Sequence, residues 1–408
     1  MIVSSTLANE VDEIQPGLVA DRRHLHANPE LGFQEFKTAE FVRQRLESLG
    51  VDDIRTGIAV TGVTGKIVGT KPGEGGHVLL RADMDALPIQ EESDAEYVSQ
   101  TDGVMHACGH DAHTSILLGV ARLLTDRREQ FAGTVTLCFQ PAEEMPPGGA
   151  IQMIEEGNVL DGVDAVFALH MAAGMPTGEL AIAGGPVMAG GDLFRVTFQG
   201  KGGHAAEPHT VVDPMVASAT AIASLQSIVS RNVDPMDNAV VSVTVFRAGD
   251  AFNVIPDTVE IGGTFRYFRP EVGEMVERRL RQVCEDVATA YGCEAKVEIL
   301  RGYPPTVNDD AMAALAEDAL KAEFGEDAVR EAIPVMGGED FAHMLLRKPG
   351  AYFNVGSYFE RDGETYGHHH PKFDIDEESL AIGVRAMTSV ALRWLDDRAA
   401  SSWRPVSV

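Results

Sequence analysis

A cysteine and three histidines are concentrated in one short stretch, M-H-A-C-G-H-D-A-H-T at Met105–Thr114. Thiolate and imidazole are donors that borderline divalent metals prefer, and the C-x-H spacing with its intervening glycine brings Cys108 and His110 to one side of a turn. The alternative is a helix start rich in polar caps, with His106 and His113 merely exposed. Because histidine at this density is rare outside metal sites, the stretch favours a metal-binding function.

Two adjacent carboxylates, Glu143 and Glu144, follow an apolar run in the motif F-Q-P-A-E-E. The run Thr134–Phe139 is predicted to be a strand that stops at a proline and presents both acids in a loop. Adjacent acids in a loop can diverge, so that one binds a metal while the other takes a proton from metal-bound water. Taken alone, however, a pair of glutamates is more often a solvated surface feature.

Two further segments could supply imidazole ligands. His170 follows the apolar run Ala165–Leu169, at a strand end of the kind where open α/β sheets place their sites, although a lone histidine there is more often a hydrogen-bonded core or rim residue than a ligand. The turn G-H-H-H-P at Gly367–Pro371 supplies one ligand or is only an exposed polar turn. Together these donors could hold two divalent ions, and they favour zinc, manganese, cobalt or nickel over magnesium or calcium.

Three polar residues in the second half of the chain are candidates for contact with a substrate. The stretch G-K-G-G-H-A-A-E-P-H places His204 in a glycine-rich turn after a strand, where a capping or solvent-facing role is equally consistent. Asn253 lies in F-N-V-I-P, and Arg266 lies at a predicted strand end, from which arginine can bind a carboxylate through two hydrogen bonds. Both could equally be structural.

Composition and missing motifs exclude several other classes of protein. The net charge of -29, from 62 acidic and 33 basic residues, disfavours a nucleic-acid partner. The sequence lacks the P-loop motif, H-E-x-x-H, and a clean G-x-G-x-x-G between a strand and a helix, so the nucleotide-binding and zincin classes lack their signatures. No apolar run approaches the roughly eighteen residues of a membrane span and no signal peptide is evident, so we expect a cytoplasmic protein without a membrane partner.

Two domains are predicted to position these residues. Helices alternate with short apolar strands in the first half, which indicates an α/β sheet with helices on its faces. After a glycine-rich hinge at Gly184–Gly191 the predicted order becomes βαββαβ, which is the ferredoxin-like arrangement. We therefore predict a discontinuous catalytic domain, residues 1–186 and 299–408, and an inserted domain, residues 187–298.

Seven motifs make the sequence recognisable, and they occur in the order R-H-L-H-A-N-P-E-L-G-F-Q-E, L-R-A-D-M-D-A-L-P-I, M-H-A-C-G-H-D-A-H-T, F-Q-P-A-E-E, G-K-G-G-H-A-A-E-P-H, F-N-V-I-P-D and M-G-G-E-D-F. In that order they resemble the amidohydrolase branch of the aminoacylase and carboxypeptidase metallopeptidase superfamily. This branch includes hippurate hydrolases, N-acyl-L-amino acid amidohydrolases and auxin-conjugate hydrolases. The resemblance runs from about Arg23 to Glu377, and seven ordered motifs make chance similarity negligible.

The resemblance implies a mixed-sheet, two-metal, peptidase-type catalytic domain with an inserted lid or dimerisation domain. It also implies a set of metal ligands, in which Cys108 bridges two divalent ions (Mn, Zn, Co or Ni), His110 and His170 hold one ion, and Glu144 and His369 hold the other. His369 is preferred to His370 because the family pattern is histidine, any residue, proline.

The resemblance further implies roles beyond metal binding. Glu143 looks like the general base, and His204 is similar to the lid histidine that, in such dimers, reaches the site of the other subunit and stabilises the oxyanion. Asp83 and Asp85 stand where related enzymes place a metal ligand or its orienting acid, so both are candidates for orienting the ligands.

The expected reaction is hydrolysis of the amide bond of a small N-acyl-L-amino acid, N-acetyl, N-benzoyl or similar, by a water that Glu143 activates. One alternative is dipeptidase or carboxypeptidase activity of the same superfamily, although the cysteine-containing motif favours the acyl-amino acid branch. Another is a metal-binding protein without catalysis, which the retention of Glu143 beside Glu144 disfavours. The implied assembly is a homodimer or homotetramer formed through the inserted domain.

Overall fold

The computed structural model describes residues 3–361 and 363–400 of the chain. Its α-helices are α1 (Val3–Ala27), α2 (Phe36–Ser48), α3 (His110–Asp126), α4 (Gly149–Glu155), α5 (Pro214–Asn232), α6 (Pro270–Ala290), α7 (Asp310–Phe324), α8 (Ala342–Leu345) and α9 (Glu378–Ala400). Short 3-10 helices occupy Arg128–Gln130, Pro208–Thr210 and Glu326–Ala328.

The strands alternate with these helices along the chain. They are β1 (Asp52–Ile58), β2 (Gly62–Val68), β3 (His77–Asp83), β4 (Thr134–Gln140), β5 (Ala165–Ala172), β6 (Leu180–Ile182), β7 (Gly185–Met188), β8 (Gly190–Gln199), β9 (Gly203–His204), β10 (Ala239–Ala248), β11 (Val254–Ile255), β12 (Thr258–Tyr267), β13 (Glu294–Leu300), β14 (Thr306–Asn308), β15 (Val329–Glu331), β16 (Gly350–Gly356), β17 (Glu360–Arg361) and β18 (Glu364–Thr365).

The first of two compact units comprises Met1–Val187, Val307–Ile333 and Asp340–Val408. Its eight-stranded sheet has the order β1-β2-β4-β3-β5-β16-β6-β15. The central strands β4, β3, β5 and β16 are parallel, whereas the pairs β1/β2, β2/β4 and β6/β16 are antiparallel. β3 and β4 are buried almost throughout, as expected of apolar strands covered on both faces. The predicted α/β class with a mixed sheet is therefore confirmed.

Helix α3 is the internal helix of this unit, because nearly all of its residues are buried. It packs between α1 and α9, and its apolar side chains join those of the sheet in one core. Ile116 of α3 and Val384 of α9 belong to this core together with Leu80 of β3 and Phe167 of β5. The packing fixes the start of α3, at His110, relative to the ends of the central strands.

The second unit comprises Met188–Thr306 and Pro334–Glu339. Its four-stranded antiparallel sheet has the order β10-β12-β8-β13, and α5 and α6 pack on it. Along β8 buried residues alternate with more exposed ones, so that Phe194, Val196 and Phe198 face the helices in a separate core. The predicted βαββαβ order is present as β8, α5, β10, β12, α6 and β13.

Two local features differ from the sequence-based prediction. β1 was not predicted, because D-D-I-R-T-G-I is polar, mostly exposed and without regular alternation. The predicted hinge at Gly184–Gly191 contains β7 and the first two residues of β8, so most of it is strand. Among the described helices, none is both long and apolar enough to cross a membrane.

Candidate metal centre

The candidate residues converge at the carboxyl ends of three neighbouring strands. β4, β3 and β5 are parallel and adjacent, so their carboxyl ends lie at one edge of the sheet. This edge carries Asp83 at the end of β3, Glu143 and Glu144 in the turn after β4, and His170 near the end of β5. The order of the strands therefore brings together residues that are far apart in the sequence.

Cys108 and His110 reach the same place from the start of α3. Gly109 stands between them with a φ of +92°, in the left-handed region that glycine adopts without steric cost, and His110 is the first residue of the helix. His106 and His113 are both buried, as is His110, so the alternative of a helix start with His106 and His113 merely exposed is wrong.

Five groups of possible ligands among the described residues have their donor atoms within 4.8 Å of one another, and three of them contain at least two of the predicted metal ligands: Cys108, His110 and His170; Cys108, Glu144 and His369; and His110, Glu143 and Glu144. Cys108 belongs to two of these groups, and its Sγ lies 3.6 Å from Nε2 of His170. A thiol shared between two clusters of imidazole and carboxylate is a donor set that suits two neighbouring divalent ions.

In both His110 and His170, Nδ1 makes a hydrogen bond and Nε2 is left for the groups of possible ligands. Nδ1 of His110 lies 2.9 Å from the carbonyl oxygen of Asp85, and Nδ1 of His170 lies 2.8 Å from that of Met171. Each carbonyl accepts the Nδ1 proton, so the lone pair of a neutral ring is on Nε2, as in metal-binding histidines.

Two buried atoms test whether the residues fit a metal. Among the described residues, neither Nε2 of His110 nor Oε1 of Glu144 has a hydrogen-bond partner. Nε2 of His369 lies 3.1 Å from this glutamate oxygen without hydrogen-bond geometry. Buried polar atoms of proteins are usually satisfied, so each of these two unsatisfied atoms fits a donor to a bound cation.

The three consecutive histidines of the G-H-H-H-P turn have different surroundings. Nε2 of His368 accepts the backbone N–H of Ala173 at 3.3 Å, and Nδ1 of His370 accepts that of Lys372 at 3.0 Å. His369, half exposed and with a φ of +64°, directs its ring to Glu144 instead. The geometry therefore favours His369 over the reserve candidate His370 as a ligand.

The pKa values of three proposed ligands, Cys108, His369 and His110, are raised, which favours their protonated forms. Burial raises the pKa of the Cys108 thiol, and the adjacent Cys108 and Glu144 raise the pKa of His369 to about 10. Burial opposes protonation of His110, but the nearby Asp83 holds the pKa of this ring above its ordinary value. Binding of a divalent ion would displace these protons, because only deprotonated side chains coordinate.

Asp83 and Asp85 both lie beside His110, with Oδ2 of Asp83 3.7 Å from its Nε2 and Oδ1 of Asp85 3.3 Å from its Nδ1, and each also anchors a neighbouring segment. Oδ1 of Asp83 accepts the Nδ1 proton of His113 at 2.6 Å, while Nε2 of that ring accepts the N–H of Met171 at 2.9 Å. Oδ1 and Oδ2 of Asp85 accept the backbone N–H groups of Glu143 and Glu144 at 2.9 and 3.0 Å. Both nitrogens of His113 are thus engaged, and Asp85 fixes the backbone of both glutamates.

Arg81 and Asp340 form a buried ion pair beside this centre that sequence reasoning missed. The guanidinium donates to Oδ2 of Asp83 at 2.6 Å and to Oδ1 of Asp340 at 2.8 Å. Burial opposes ionisation of Asp83, but His110, Arg81 and His113 hold its pKa well below the usual range. The motifs L-R-A-D-M-D and G-G-E-D-F contain these residues, yet spacing alone could not show that they pair.

The remaining candidates lie in the second unit. His204 is on β9, paired with Val254 of β11, and the N–H of Ala205 donates to the carbonyl oxygen of Asn253 at 3.1 Å. Arg266 is the penultimate residue of β12 and packs over Gly191, where an added Cβ would lie 2.6 Å from its Cδ. All three residues belong to the second unit, and their roles stay predictions.

Comparison with known proteins gives the family. The sequence profile described as peptidase family M20/M25/M40 matches residues 79–393. The chain is 43% identical to IAA-amino acid hydrolase ILR1-like 5 of Arabidopsis thaliana over 388 residues, which cover 94% of this chain and 88% of that protein. It is 42% identical to N-acetyl-L-cysteine deacetylase of Bacillus subtilis over 383 residues, which cover 94% of this chain and 89% of that protein.

A solved structure agrees with these relatives in fold. The crystal structure of the Bacillus subtilis YXEP protein, described as a dinuclear metal-binding peptidase of the M20 family, matches with a TM-score of 0.83 and 36% identity. The match covers 94% of this chain and 99% of that chain. The chain therefore belongs to peptidase family M20/M25/M40 and is a hydrolase that acts on amide bonds.

Proposed function

We propose that this protein is a two-metal amidohydrolase that cleaves small N-acyl-L-amino acids, with Glu143 as its general base. The observation that carries the proposal is the pair of ligand groups sharing Cys108, together with the unsatisfied buried atoms of His110 and Glu144. The names of the two relatives, an IAA-amino acid hydrolase and an N-acetyl-L-cysteine deacetylase, describe N-acylated amino acids as substrates.

Cys108 would bridge two divalent ions, with His110 and His170 on one and Glu144 and His369 on the other. When bound, the ions (Mn, Zn, Co or Ni) would lower the pKa of a shared water and polarise the amide carbonyl. Glu143, whose carboxylate lies in a group with His110 and Glu144, would take the water proton and pass it to the leaving amine.

The tautomer of His204 suits a donor to the developing oxyanion. Its Nδ1 accepts the backbone N–H of Ala206 at 3.1 Å, so the neutral ring carries its proton on Nε2. A positioned N–H donor stabilises negative charge on the carbonyl oxygen more strongly in the transition state than in the substrate. His204 is exposed in the second unit, which leaves this nitrogen available to a substrate.

Arg266 and Asn253 are the proposed contacts for the substrate carboxylate and amide. Within residues 3–361 and 363–400, no carboxylate forms an ion pair with the guanidinium of Arg266. An arginine without an internal partner can bind a carboxylate through two hydrogen bonds. We further propose assembly as a homodimer or homotetramer through the second unit, whose sheet exposes the apolar side chains of Leu193, Phe246 and Leu300.

The test is amino acid release from a panel of N-acetyl, N-benzoyl and indole-acetyl amino acids and dipeptides. The enzyme is first stripped with a chelator and then supplied with manganese, zinc, cobalt or nickel. Glu143→Gln should lower kcat about 10²–10⁴-fold or more while the metal content is retained, because it removes the base alone. Glu129→Gln, at an exposed glutamate of the same unit, should leave kcat unchanged.

Three outcomes would contradict parts of this proposal. Cleavage of dipeptides in preference to acyl-amino acids would establish a peptidase instead. Metal binding without turnover of any substrate would establish a metal-binding protein. Full activity of Glu143→Gln would show that Glu143 is not the general base.

A further inference from the structure

The turn that carries the proposed base is held by two buried carboxylates. Three consecutive backbone N–H groups are involved: that of Ala142 donates to Oε1 of Glu35 at 2.9 Å, and those of Glu143 and Glu144 donate to Asp85 at 2.9 and 3.0 Å. Asp85 was expected to orient ligands, whereas nothing in the sequence analysis assigned a role to Glu35. The contact joins positions 107 residues apart in the chain.

Ala142 has an unusual backbone conformation immediately before the base. Its φ is +52°, in the left-handed region that a residue with a Cβ rarely adopts, and it is fully buried. Its carbonyl oxygen accepts the N–H of Gly149 at 3.1 Å. A residue in this conformation persists when its surroundings hold it there, and the bond to Glu35 is one of two that do so.

Glu35 is anchored on both sides of its carboxylate. Oε2 accepts the hydroxyl of Thr61 at 2.5 Å, and its backbone carbonyl accepts the N–H of Ala39 at the start of α2. The side chain is fully buried, and this burial raises the pKa of Glu35 to about 7. The carboxylate therefore connects the beginning of one helix to the turn after β4.

We propose that Glu35 is a positioning residue for Glu143, which it places by holding Ala142 in the left-handed conformation. The inference rests on the proposed function, in which Glu143 is the base. Glu35 contacts no reacting atom, so its influence on turnover passes through the backbone of the turn. A base displaced by a fraction of an ångström loses alignment with the water that it deprotonates.

A second carboxylate of the same segment provides a matched control. Oε2 of Glu30 accepts the N–H groups of Lys37 and Thr38 at 2.8 and 2.9 Å and the hydroxyl of Thr38 at 3.1 Å. Like Glu35, Glu30 accepts backbone N–H and threonine hydroxyl donors. Its carboxylate caps the start of α2 instead of binding the turn, so its loss tests stability without moving the base.

The experiment measures kcat, KM and bound metal of the metal-loaded enzyme for Glu35→Ala, Glu35→Gln and Glu30→Ala. Glu35→Ala should lower kcat about tenfold or more, with KM and the metal-to-protein ratio unchanged. Glu35→Gln should keep most of kcat, because the amide oxygen can accept from Ala142 while its NH₂ donates to Thr61. Glu30→Ala should leave kcat unchanged.

The decisive variant is the double substitution Glu35→Ala with Ala142→Gly. Glycine enters the left-handed region without a steric penalty, so it should recover most of the kcat that Glu35→Ala loses. A merely structural role of Glu35 predicts no such recovery, because the glycine adds no contact. Should Glu35→Ala not fold, Thr61→Val removes the other anchor of the same carboxylate, and its loss of kcat should again be recovered by Ala142→Gly.

The outcomes separate this inference from the proposed function. Equal kcat for Glu35→Ala and Glu30→Ala, or a loss that Ala142→Gly does not recover, would overturn the positioning role. If Glu143→Gln remained active, the proposed base itself would fail. If Glu143→Gln were inactive while Glu35→Ala kept full kcat, the positioning inference alone would fail.

Discussion

Replacement of Arg22 by alanine should strongly destabilise the fold. The guanidinium is fully buried, with Nε 2.9 Å from Oδ2 of Asp111 and Nη2 2.7 Å from Oδ1 of Asp374. Both carboxylates are themselves buried, at 0% and 2% side-chain exposure. Removal of one member of a buried ion pair leaves an uncompensated charge and typically costs about 3–5 kcal/mol.

The expected loss lies near the lower end of that range because each carboxylate keeps another donor. Nδ1 of His26 remains 2.8 Å from Oδ2 of Asp111, and Oδ2 of Asp374 keeps both the hydroxyl of Tyr97 and Nη2 of Arg361 at 2.9 Å. We therefore expect a decrease of about 3 kcal/mol in the free energy of unfolding. At roughly 2 °C per kcal/mol for a large unit, the melting temperature should fall by about 6 °C.

Arg23 provides the control, since both arginines lie over the ring of Tyr97, at 4.7 and 4.8 Å from its centroid, and both reach Glu377. The side chain of Arg23 is 42% exposed, so Arg23→Ala should cost only about 0–1 kcal/mol. Urea unfolding of both variants, followed by circular dichroism in the presence of a chelator, measures the difference. If the two differed by less than about 1 kcal/mol, the argument from buried charge would be wrong.

Three other substitutions test the pKa of Glu35 and the choice of histidine. Burial raises the pKa of Glu35 from 4.5 to about 7, so its carboxyl favours the folded state below pH 4.5, and this contribution is lost as the pH rises through 7. The stability of Glu35→Gln relative to the wild type should therefore increase by about 3 kcal/mol between pH 4.5 and 8, and a constant difference in urea unfolding would contradict this. For the histidines, His369→Ala should lose one of two bound metals in elemental analysis, because Nε2 of His369 faces Glu144. His370→Ala should keep both, because its ring stacks on Tyr366 at 4.5 Å, and an equal loss from both variants would refute the distinction.

The sequence was sufficient to predict the strands that have strong apolar patterns. β4 extends the predicted strand Thr134–Phe139 by one residue, and β5 extends the apolar run Ala165–Leu169 by three residues. Their apolar runs are long and bounded by turn residues, so periodicity identifies them. β1 is a polar edge strand without an apolar pattern, and its antiparallel pairing with β2 stabilises it as a strand.

The contacts between distant residues required the tertiary structure. Among the three consecutive histidines the family pattern already indicated His369, and its φ of +64° and its ring directed at Glu144 distinguish it from its neighbours. Arg22 and Glu35 act through contacts with Asp111 and Ala142, which are 89 and 107 residues away in the chain. Spacing within a motif carries no information about such partners, so these roles could not be predicted from the sequence.

Charge balance explains where the metals should bind in a strongly acidic protein. Asp83 and Asp340 share the buried guanidinium of Arg81, and other buried acids around the centre are matched in the same way by Arg22. Oε1 of Glu144 is a buried acidic oxygen without a hydrogen-bond donor in the part of the chain that the structure describes. Its neighbour is the ring of His369, whose pKa is raised to about 10 by Cys108 and Glu144, and a divalent ion there would replace the proton of that ring as the balancing charge, so this position should take the metal.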